Sequence, residues 1–210
     1  MMPFAMRSNV PLLIILSAPS GGGKTTLCDQ LLAQHSNIAR AITCTTRAPR
    51  AGEIAGVHYH FLSRLEFSQK VQAGEFLEHA CVYDNFYGTL ASEVVGKLQS
   101  GLHVLLNIDV QGANSVRSAA LQNPVLGSRL VSVFLTPPSL AELERRLRLR
   151  GSESAESLAR RLQQAGTELP EWSKFNYLII STSIEEDLRR MEVILEAELM
   201  SQRHVTPPIF

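Results

Sequence analysis

A glycine-rich loop between an apolar run and a helical segment is the feature that most constrains this chain. The run LLIIL at 12–16 is followed by APSGGGKT at 18–25 and then by KTTLCDQLLAQH. Three consecutive glycines, at 21–23, permit backbone conformations that other residues rarely adopt, so consecutive N–H groups can turn inward around phosphate oxygens. The helix that follows adds its positive dipole end. The pattern predicts a phosphate-binding loop, although Ala18 stands where the usual pattern has its first glycine.

Each position of this loop has an expected role. Lys24 is expected to reach the β- and γ-phosphates of a nucleotide, and the hydroxyl of Thr25 to ligate Mg²⁺. Ala18 ends the strand, where a methyl group is tolerated if its φ is negative. We predict that the ATP-binding residues are Ala18, Pro19, Ser20, Gly21, Gly22, Gly23, Lys24, Thr25 and Thr26.

The apolar pattern predicts the fold class. Short runs that read as buried strands lie at 12–16, 39–43, 102–108, 130–135 and 177–180. Helical patterns separate most of them, and three helices are expected to begin with a Ser-x-x-Glu capping box, at Ser63, Ser139 and Ser183. Because near-continuous apolar strands alternate with helices, we expect a three-layer α/β fold around a five-stranded parallel sheet.

The segment from about 44 to 89 departs from this alternation. Its short aromatic stretches, HYHF, EFLEHACVY and NFYGT, predict a small inserted lobe of mixed strands. We therefore expect one domain whose core is formed by about 10–43, 90–140 and 170–205. The arginine-rich segment at about 141–169 is predicted to be helical.

Composition excludes several classes of function. Hydrophobic residues make up 45% of the chain and charged residues 19%, as in ordinary globular domains. Twenty basic residues balance twenty acidic ones, which argues against nucleic acid as a partner. The apolar run near the N-terminus is too short to span a bilayer, so no membrane partner is expected. The three cysteines lack metal-ligand spacing and suit a reducing cytoplasm.

A second motif follows the predicted second strand. Residues 45–61 read Thr-Thr-Arg-x-x-Arg-x-x-Glu-x-x-Gly-x-x-Tyr-x-Phe, with eight fixed positions in seventeen residues. In this motif and the glycine loop the chain resembles guanylate kinases, which transfer phosphate from ATP to GMP. The resemblance covers about 12–200. It implies a P-loop kinase fold, a GMP-binding lobe at 44–89, a lid at 141–169, and Mg²⁺ as cofactor with ATP and GMP as partners.

The resemblance also implies roles for individual residues. The GMP phosphate would be held by Arg47, Arg50, Tyr59 and Tyr87. The guanine base would be read by Thr43, Glu78 and Thr89. The catalytic residues would be Lys24, Arg47, Arg150 and Arg161. Asp109 would orient either a water bound to Mg²⁺ or the guanine amino group.

The chemistry of two of these residue types agrees with those roles. Paired guanidinium groups, as at Arg47 and Arg50, form bidentate charge-assisted bonds to one phosphate. An ionised Glu78 can accept from both N1–H and the 2-amino group of guanine, whereas adenine has neither donor. A desolvated site of this kind rejects the wrong base by up to ~10⁴-fold.

Departures from the family pattern leave alternatives open. Asn107 stands where guanylate kinases have an aspartate before Asp109, and Ser181 and Thr182 replace an Asn-Asp pair associated with the adenine ring. A non-catalytic protein-binding module of guanylate-kinase type and a kinase for another phosphorylated small molecule remain as alternatives, and a homo-oligomer remains open. A GTPase is disfavoured because no Asn in the sequence is followed by Lys.

Overall fold

A computed structural model describes residues 10–82, 84–149, 155–201 and 203–204, and its main element is a five-stranded parallel sheet. The strand order is β2-β7-β1-β8-β9. These strands are β1 (Leu13–Ser17), β2 (Ile38–Arg40), β7 (His103–Asn107), β8 (Leu130–Thr136) and β9 (Tyr177–Ile180). The five predicted strands and their parallel arrangement are confirmed, although β2 ends at Arg40 rather than at residue 43.

Helices cover both faces of this sheet. They are α1 (Lys24–Gln34), α3 (Ala91–Gln99), α4 (Val110–Gln122), α5 (Pro124–Arg129) and α8 (Ile184–Leu199). Alternate residues of β1 point to opposite faces, so Ile14 and Leu16 pack with α1 and α8 while Leu13 and Ile15 pack with α3 and α4. The three predicted layers are therefore present. None of the described helices combines the length and apolarity that a membrane span requires.

A second, four-stranded sheet is formed by the chain between β2 and α3. Its strands are β3 (Cys44–Thr45), β4 (His60–Phe61), β5 (Phe76–Val82) and β6 (Asn85–Leu90), in the order β4-β3-β6-β5. The pair β3–β4 is parallel and the other pairs are antiparallel, which confirms the predicted mixed sheet. Helix α2 (Arg64–Gln72) connects β4 to β5.

Two helices of the arginine-rich segment form a third apolar cluster. They are α6 (Leu140–Leu149) and α7 (Ala155–Glu168), and a 3₁₀ helix at Leu169–Lys174 follows directly. Leu143 and Leu147 of α6 pack with Leu158 and Ala165 of α7. The arginines of α6 lie outside this cluster and pair with Glu142 and Glu144 of the same helix.

One of the three expected capping boxes forms in full. At α2 the Ser63 hydroxyl accepts from the Glu66 N–H, and the Glu66 carboxylate accepts from the Ser63 N–H. At Ser139 and Ser183 the serine hydroxyl accepts from the N–H of the glutamate three residues later, as expected. The prediction that the glutamate carboxylate accepts in turn from the serine N–H is wrong at both positions. Glu142 instead bonds Arg145 and Arg146, and Glu186 bonds arginines of its own helix, because an i, i+4 guanidinium competes for the carboxylate.

Candidate active site

The glycine loop joins the end of β1 to the start of α1. Gly21 and Gly23 have φ values of 87° and 97°, a region that residues with a Cβ rarely adopt. A Cβ on Gly21 would also lie 2.5 Å from Cδ2 of Leu147, so α6 packs closely against this point of the loop. The loop therefore ends at the first turn of α1, and N–H groups at a helix N-terminus are the kind of donor that binds phosphate.

Ala18 fits this loop without strain. It is buried, and among the described residues Asp84 is the only one besides glycine with positive φ, so the condition of a negative φ is met. A Cβ added to Gly22 would lie 2.9 Å from the Ala18 Cβ. The methyl group of Ala18 thus lies against the space left by Gly22. The departure from the usual pattern is compatible with the loop fold.

Lys24 begins α1 and points back along the loop. Its Nζ donates to the carbonyl oxygen of Ala18 at 2.8 Å. Burial lowers the pKa of the Lys24 ammonium, while the negative charges of Glu168 and Asp109 act in the opposite direction. A partly desolvated cation beside a glycine loop attracts a phosphate group more strongly than a hydrated one does.

A cavity of about 320 Å³ opens between the two sheets next to Lys24. It brings together most of the residues predicted to bind GMP, together with Arg161 of α7. Its lining residues are Lys24, Thr43, Arg50, Tyr59, Glu78, Ala80, Val82, Tyr87, Asn107, Ile108, Asp109 and Arg161. Basic side chains, a buried carboxylate and two tyrosines thus face one space.

Arg47 is held at the edge of this region by a residue that the site prediction left out. Its guanidinium donates to both carboxylate oxygens of Glu53, at 3.0 and 2.9 Å, and lies 5.4 Å from the ring centre of Tyr59. The carboxylate of Glu53 also accepts from the Arg50 N–H at 2.7 Å. The bonds to Arg47 lower the pKa of Glu53 to about 2. Glu53 was visible as a fixed position of the second motif, so its spacing was the available signal.

Glu78 lies where the second sheet meets α4. It is only 4% exposed, and its Oε1 accepts from the hydroxyl of Thr89, its neighbour on β6, at 2.7 Å. A Cβ on Gly112 would lie 2.8 Å from Oε2, so the glycine makes room for the carboxylate. Burial, with a smaller contribution from Asp109, raises the pKa of Glu78 to about 7. The ionised form of such a buried carboxyl group is stabilised when a ligand donates hydrogen bonds to it.

The raised pKa of Glu78 predicts a stability change. Ionisation of this carboxyl favours the unfolded chain, so the native protein loses stability as pH rises from the ordinary value of 4.5 to about 7. We expect Glu78→Gln to remove a penalty of roughly 3 kcal/mol at pH 8. Urea unfolding at pH 4.5 and pH 8 checks this. The free energy of unfolding of the variant minus that of wild type should be larger at pH 8 than at pH 4.5. An equal difference at both pH values would contradict the assignment.

Asp109 and Asn107 lie at the carboxyl end of β7. Asp109 caps α4, with its Oδ1 accepting from the Gly112 N–H at 2.8 Å. Both residues line the cavity beside Lys24. Because Asn107 is uncharged where the resemblance leads us to expect an aspartate, Asp109 is the only acidic residue of this pair.

A second cavity, of about 340 Å³, lies on the other side of the loop. It is lined by Gly21, Gly23, Thr26, Arg146, Leu149, Ser181, Thr182, Ser183, Ile184 and Asp187. The Ser181 hydroxyl donates to Oδ2 of buried Asp187 at 2.6 Å and accepts from Arg146 at 2.9 Å. Sequence reasoning named Ser181 and missed Asp187 and Arg146, because no motif marks their approach to Ser181.

The predicted lid residues fall partly within the described chain. Arg161 lines the first cavity, and its Nη1 lies 3.5 Å from Oγ of Ser20. Arg150, predicted as catalytic, lies outside the described residues. Glu168, at the end of α7, accepts from the Ser20 N–H at 3.1 Å and was not singled out from the sequence.

Comparison with known proteins identifies the family. A family model described as guanylate kinase matches residues 11–198. The chain belongs to the guanylate kinase family. It is 44% identical over 192 residues to the guanylate kinase of Clostridium perfringens strain 13, covering 91% of this chain and 86% of that protein. With the guanylate kinase of Paramagnetospirillum magneticum the identity is 42% over 200 residues, covering 95% and 91% of the two chains.

A solved structure gives the same family. The crystal structure of guanylate kinase from Anaplasma phagocytophilum superposes with a TM-score of 0.75 and 32% identity, covering 96% of this chain and 93% of that one. The P-loop kinase fold expected from the sequence is thereby confirmed. Membership of the guanylate kinase family makes the chain a nucleoside monophosphate kinase that phosphorylates GMP with ATP.

Proposed function

We propose that the two cavities on either side of the glycine loop are the sites for GMP and ATP, and that phosphate passes between them beside Lys24. The observation that carries this proposal is the cavity shared by Glu78, Arg50, Lys24 and Arg161. A base reader, a phosphate ligand and two cations for the transferring group face one space of the size of a small ligand. The products of the reaction are ADP and GDP.

Guanine is bound at the Glu78 end of the cavity. Because Oε1 already accepts from Thr89, the carboxylate is fixed in orientation before the base arrives. Guanine then offers N1–H and its 2-amino group to a buried acceptor, and Thr43 lines the same cavity. Adenine would place an acceptor against the carboxylate, so AMP is rejected.

The GMP phosphate is bound at the other end, by Arg50, Tyr59 and Tyr87. Arg47 acts beside them: its bidentate bond to Glu53 and its position over Tyr59 orient its guanidinium before the ligand binds. Glu53 also holds the backbone of Arg50. Preorganised guanidinium groups reduce the conformational entropy lost when phosphate binds.

Phosphate transfer between two nucleotides requires alignment and charge neutralisation rather than a covalent nucleophile. The N–H groups of the glycine loop and Lys24 bind the ATP phosphates. Lys24 and Arg161 then neutralise the charge that develops on the equatorial oxygens of the transferring group. Arg150, which precedes Gly151, is proposed for the same task from the family resemblance.

The residues near Lys24 fit a Mg²⁺ ion. The Thr25 hydroxyl is exposed at the start of α1, and Asp109 lines the cavity, so hard oxygen donors are present. Among the described side chains, no group of three His, Cys, Asp or Glu could hold a metal ion alone. Thr25 would ligate the ion directly and Asp109 through water, with nucleotide phosphates as further ligands. When bound, the ion neutralises charge on the β- and γ-phosphates.

An assay of acceptor nucleotides tests this function. Purified protein is incubated with ATP and Mg²⁺, and ADP release is measured with GMP, dGMP, AMP, CMP or ribose 5-phosphate as acceptor. We expect turnover with GMP and dGMP, and a catalytic efficiency lower by ~10²-fold or more with the other acceptors. Absence of turnover with every acceptor would favour a non-catalytic module, and preference for ribose 5-phosphate would contradict the role of Glu78.

Because both nucleotides are abundant in the cytoplasm, we propose that the enzyme acts there.

A further inference from the structure

One face of α7 is directed at the phosphate loop. Arg161, Gln164 and Glu168 are spaced three and four residues apart, so their side chains lie in a row over two helical turns. The apolar residues Leu158 and Ala165 pack instead against α6. The helix therefore presents a polar row to the loop while its apolar residues hold it to its neighbour.

The two ends of this row contact the same loop residue. The N–H of Ser20 donates to Oε2 of Glu168 at 3.1 Å, and the Oγ of Ser20 accepts from Nη1 of Arg161 at 3.5 Å. Gln164, between them, donates its Nε2 to the other oxygen of Glu168 at 2.8 Å. Glu168 thus bonds the loop and α7 at the same time, across a sequence separation of 148 residues.

The surroundings of Glu168 destabilise the ionised form of its carboxyl group. The residue is 6% exposed, and burial raises the pKa of its carboxyl despite the bonds from Gln164 and Ser20. It is also absent from the described linings of both cavities. Glu168 can therefore hold a neighbouring group that acts on substrate without itself lining either cavity.

We propose that Glu168 is a positioning residue that fixes Ser20 to α7 and so sets the distance between the phosphate loop and Arg161. This inference rests on the proposed function, because it assigns Arg161 to the transferring phosphate. The guanidinium can neutralise charge in the transition state only if it is held at the right place relative to the loop. Displacement of a catalytic group by about 1 Å costs up to ~10²-fold in rate.

Two conservative substitutions separate position from charge. Glu168→Gln keeps the length and the oxygen acceptor for the Ser20 N–H but loses the charge. Glu168→Asp keeps the charge but is shorter by one methylene group. We expect Glu168→Gln to retain kcat within about threefold and Glu168→Asp to lower kcat about 10-fold or more, with the KM for GMP unchanged in both. The reverse order would overturn the proposal and indicate that the charge acts on Lys24.

A double-mutant cycle tests the connection to Arg161. If Glu168 acts by placing Arg161, the double variant Glu168→Asp, Arg161→Ala should have a kcat less than about threefold below that of Arg161→Ala alone. Independent losses that multiply would overturn the proposal, as would wild-type kcat in Glu168→Asp. Calorimetric GMP binding at one site per chain shows that each variant is folded.

A matched control and the wild type complete the experiment. Glu171→Gln alters a nearby carboxylate that bonds Asn114 and Lys174, and it should leave kcat unchanged. The wild type must itself form GDP. If it does not, the proposed function fails; if it does and Glu168→Asp matches it, only the positioning role fails.

Discussion

Replacing Lys24 with alanine is expected to lower the rate of phosphate transfer about 1,000-fold while GMP binding stays measurable. The reason is geometric: Lys24 lies where the loop meets the cavity proposed for GMP, whereas Glu78 lies on β5 and Arg50 in the loop between β3 and β4. Loss of the ammonium removes charge neutralisation that matters most in the transition state. Steady-state turnover with GMP as acceptor, combined with calorimetric titration of GMP, measures the two effects separately.

Two further variants make this result interpretable. Lys24→Met keeps most of the side-chain volume without the charge, so a cavity left by alanine cannot explain a loss shared by both variants. Lys70→Ala removes an ammonium that pairs with Glu75 at the surface, and it should retain full activity. Near-normal turnover in Lys24→Met would contradict the assignment of the loop to ATP, because no other loop side chain carries a positive charge.

The fold was predictable because its determinants are local. A buried parallel strand needs a short apolar run, and a phosphate loop needs glycines followed by a helix start; both can be read within about ten residues. Gly21 and Gly23 have the positive φ values that make glycine necessary in the loop. The prediction of five parallel strands and a separate mixed sheet was confirmed for this reason.

The contacts that complete the site were not predictable in the same way. The Ser20–Glu168 bond joins residues 148 positions apart, and Ser181 meets Arg146 across 35 positions. No local periodicity encodes such pairs, since they depend on how α6 and α7 pack over the loop. The two half-formed capping boxes have a related cause, because arginines on the same helices competed for the glutamates.

Ser181 illustrates how a departure from a family pattern can be accommodated. At the position where the resemblance leads us to expect an asparagine, the shorter serine hydroxyl bonds both Asp187 and Arg146. Asp187 in turn accepts from the Thr182 N–H at 3.1 Å. The second cavity therefore has a polar wall at Ser181 that is fixed by bonds to Asp187 and Arg146. This wall is consistent with the proposal that nucleotide binds there.

Replacing Glu78 with glutamine is expected to raise the KM for GMP about 100-fold and to change the KM for ATP less than threefold. An amide at this position retains one acceptor but turns an NH₂ group toward the N1–H or 2-amino donors of guanine. Two donors then face each other in a buried site, where an unmade hydrogen bond is most costly. Steady-state kinetics with each nucleotide varied in turn gives both constants.

The pH dependence of the same constant provides an independent check. Only the ionised carboxylate accepts from both guanine donors, and the pKa of Glu78 is raised to about 7 by burial and by Asp109. The KM for GMP should therefore rise about tenfold from pH 8 to pH 6. The GMP phosphate also titrates in this range, so the wild type is compared with Glu78→Gln, which lacks the carboxyl group. Subtracting the two profiles isolates the contribution of Glu78.

A surface carboxylate distinguishes recognition from general electrostatics. Glu75→Gln removes a negative charge three residues before Glu78, at a position that pairs with Lys70, and it should leave both Michaelis constants unchanged. Glu78 would have a structural role only if two results were found together. The KM for GMP would vary with pH in the same way in Glu78→Gln and wild type, and Glu78→Gln would raise the KM for GMP and the KM for ATP equally. A loss confined to GMP that grows above pH 7 would instead follow from a buried carboxylate that becomes a guanine acceptor when it ionises.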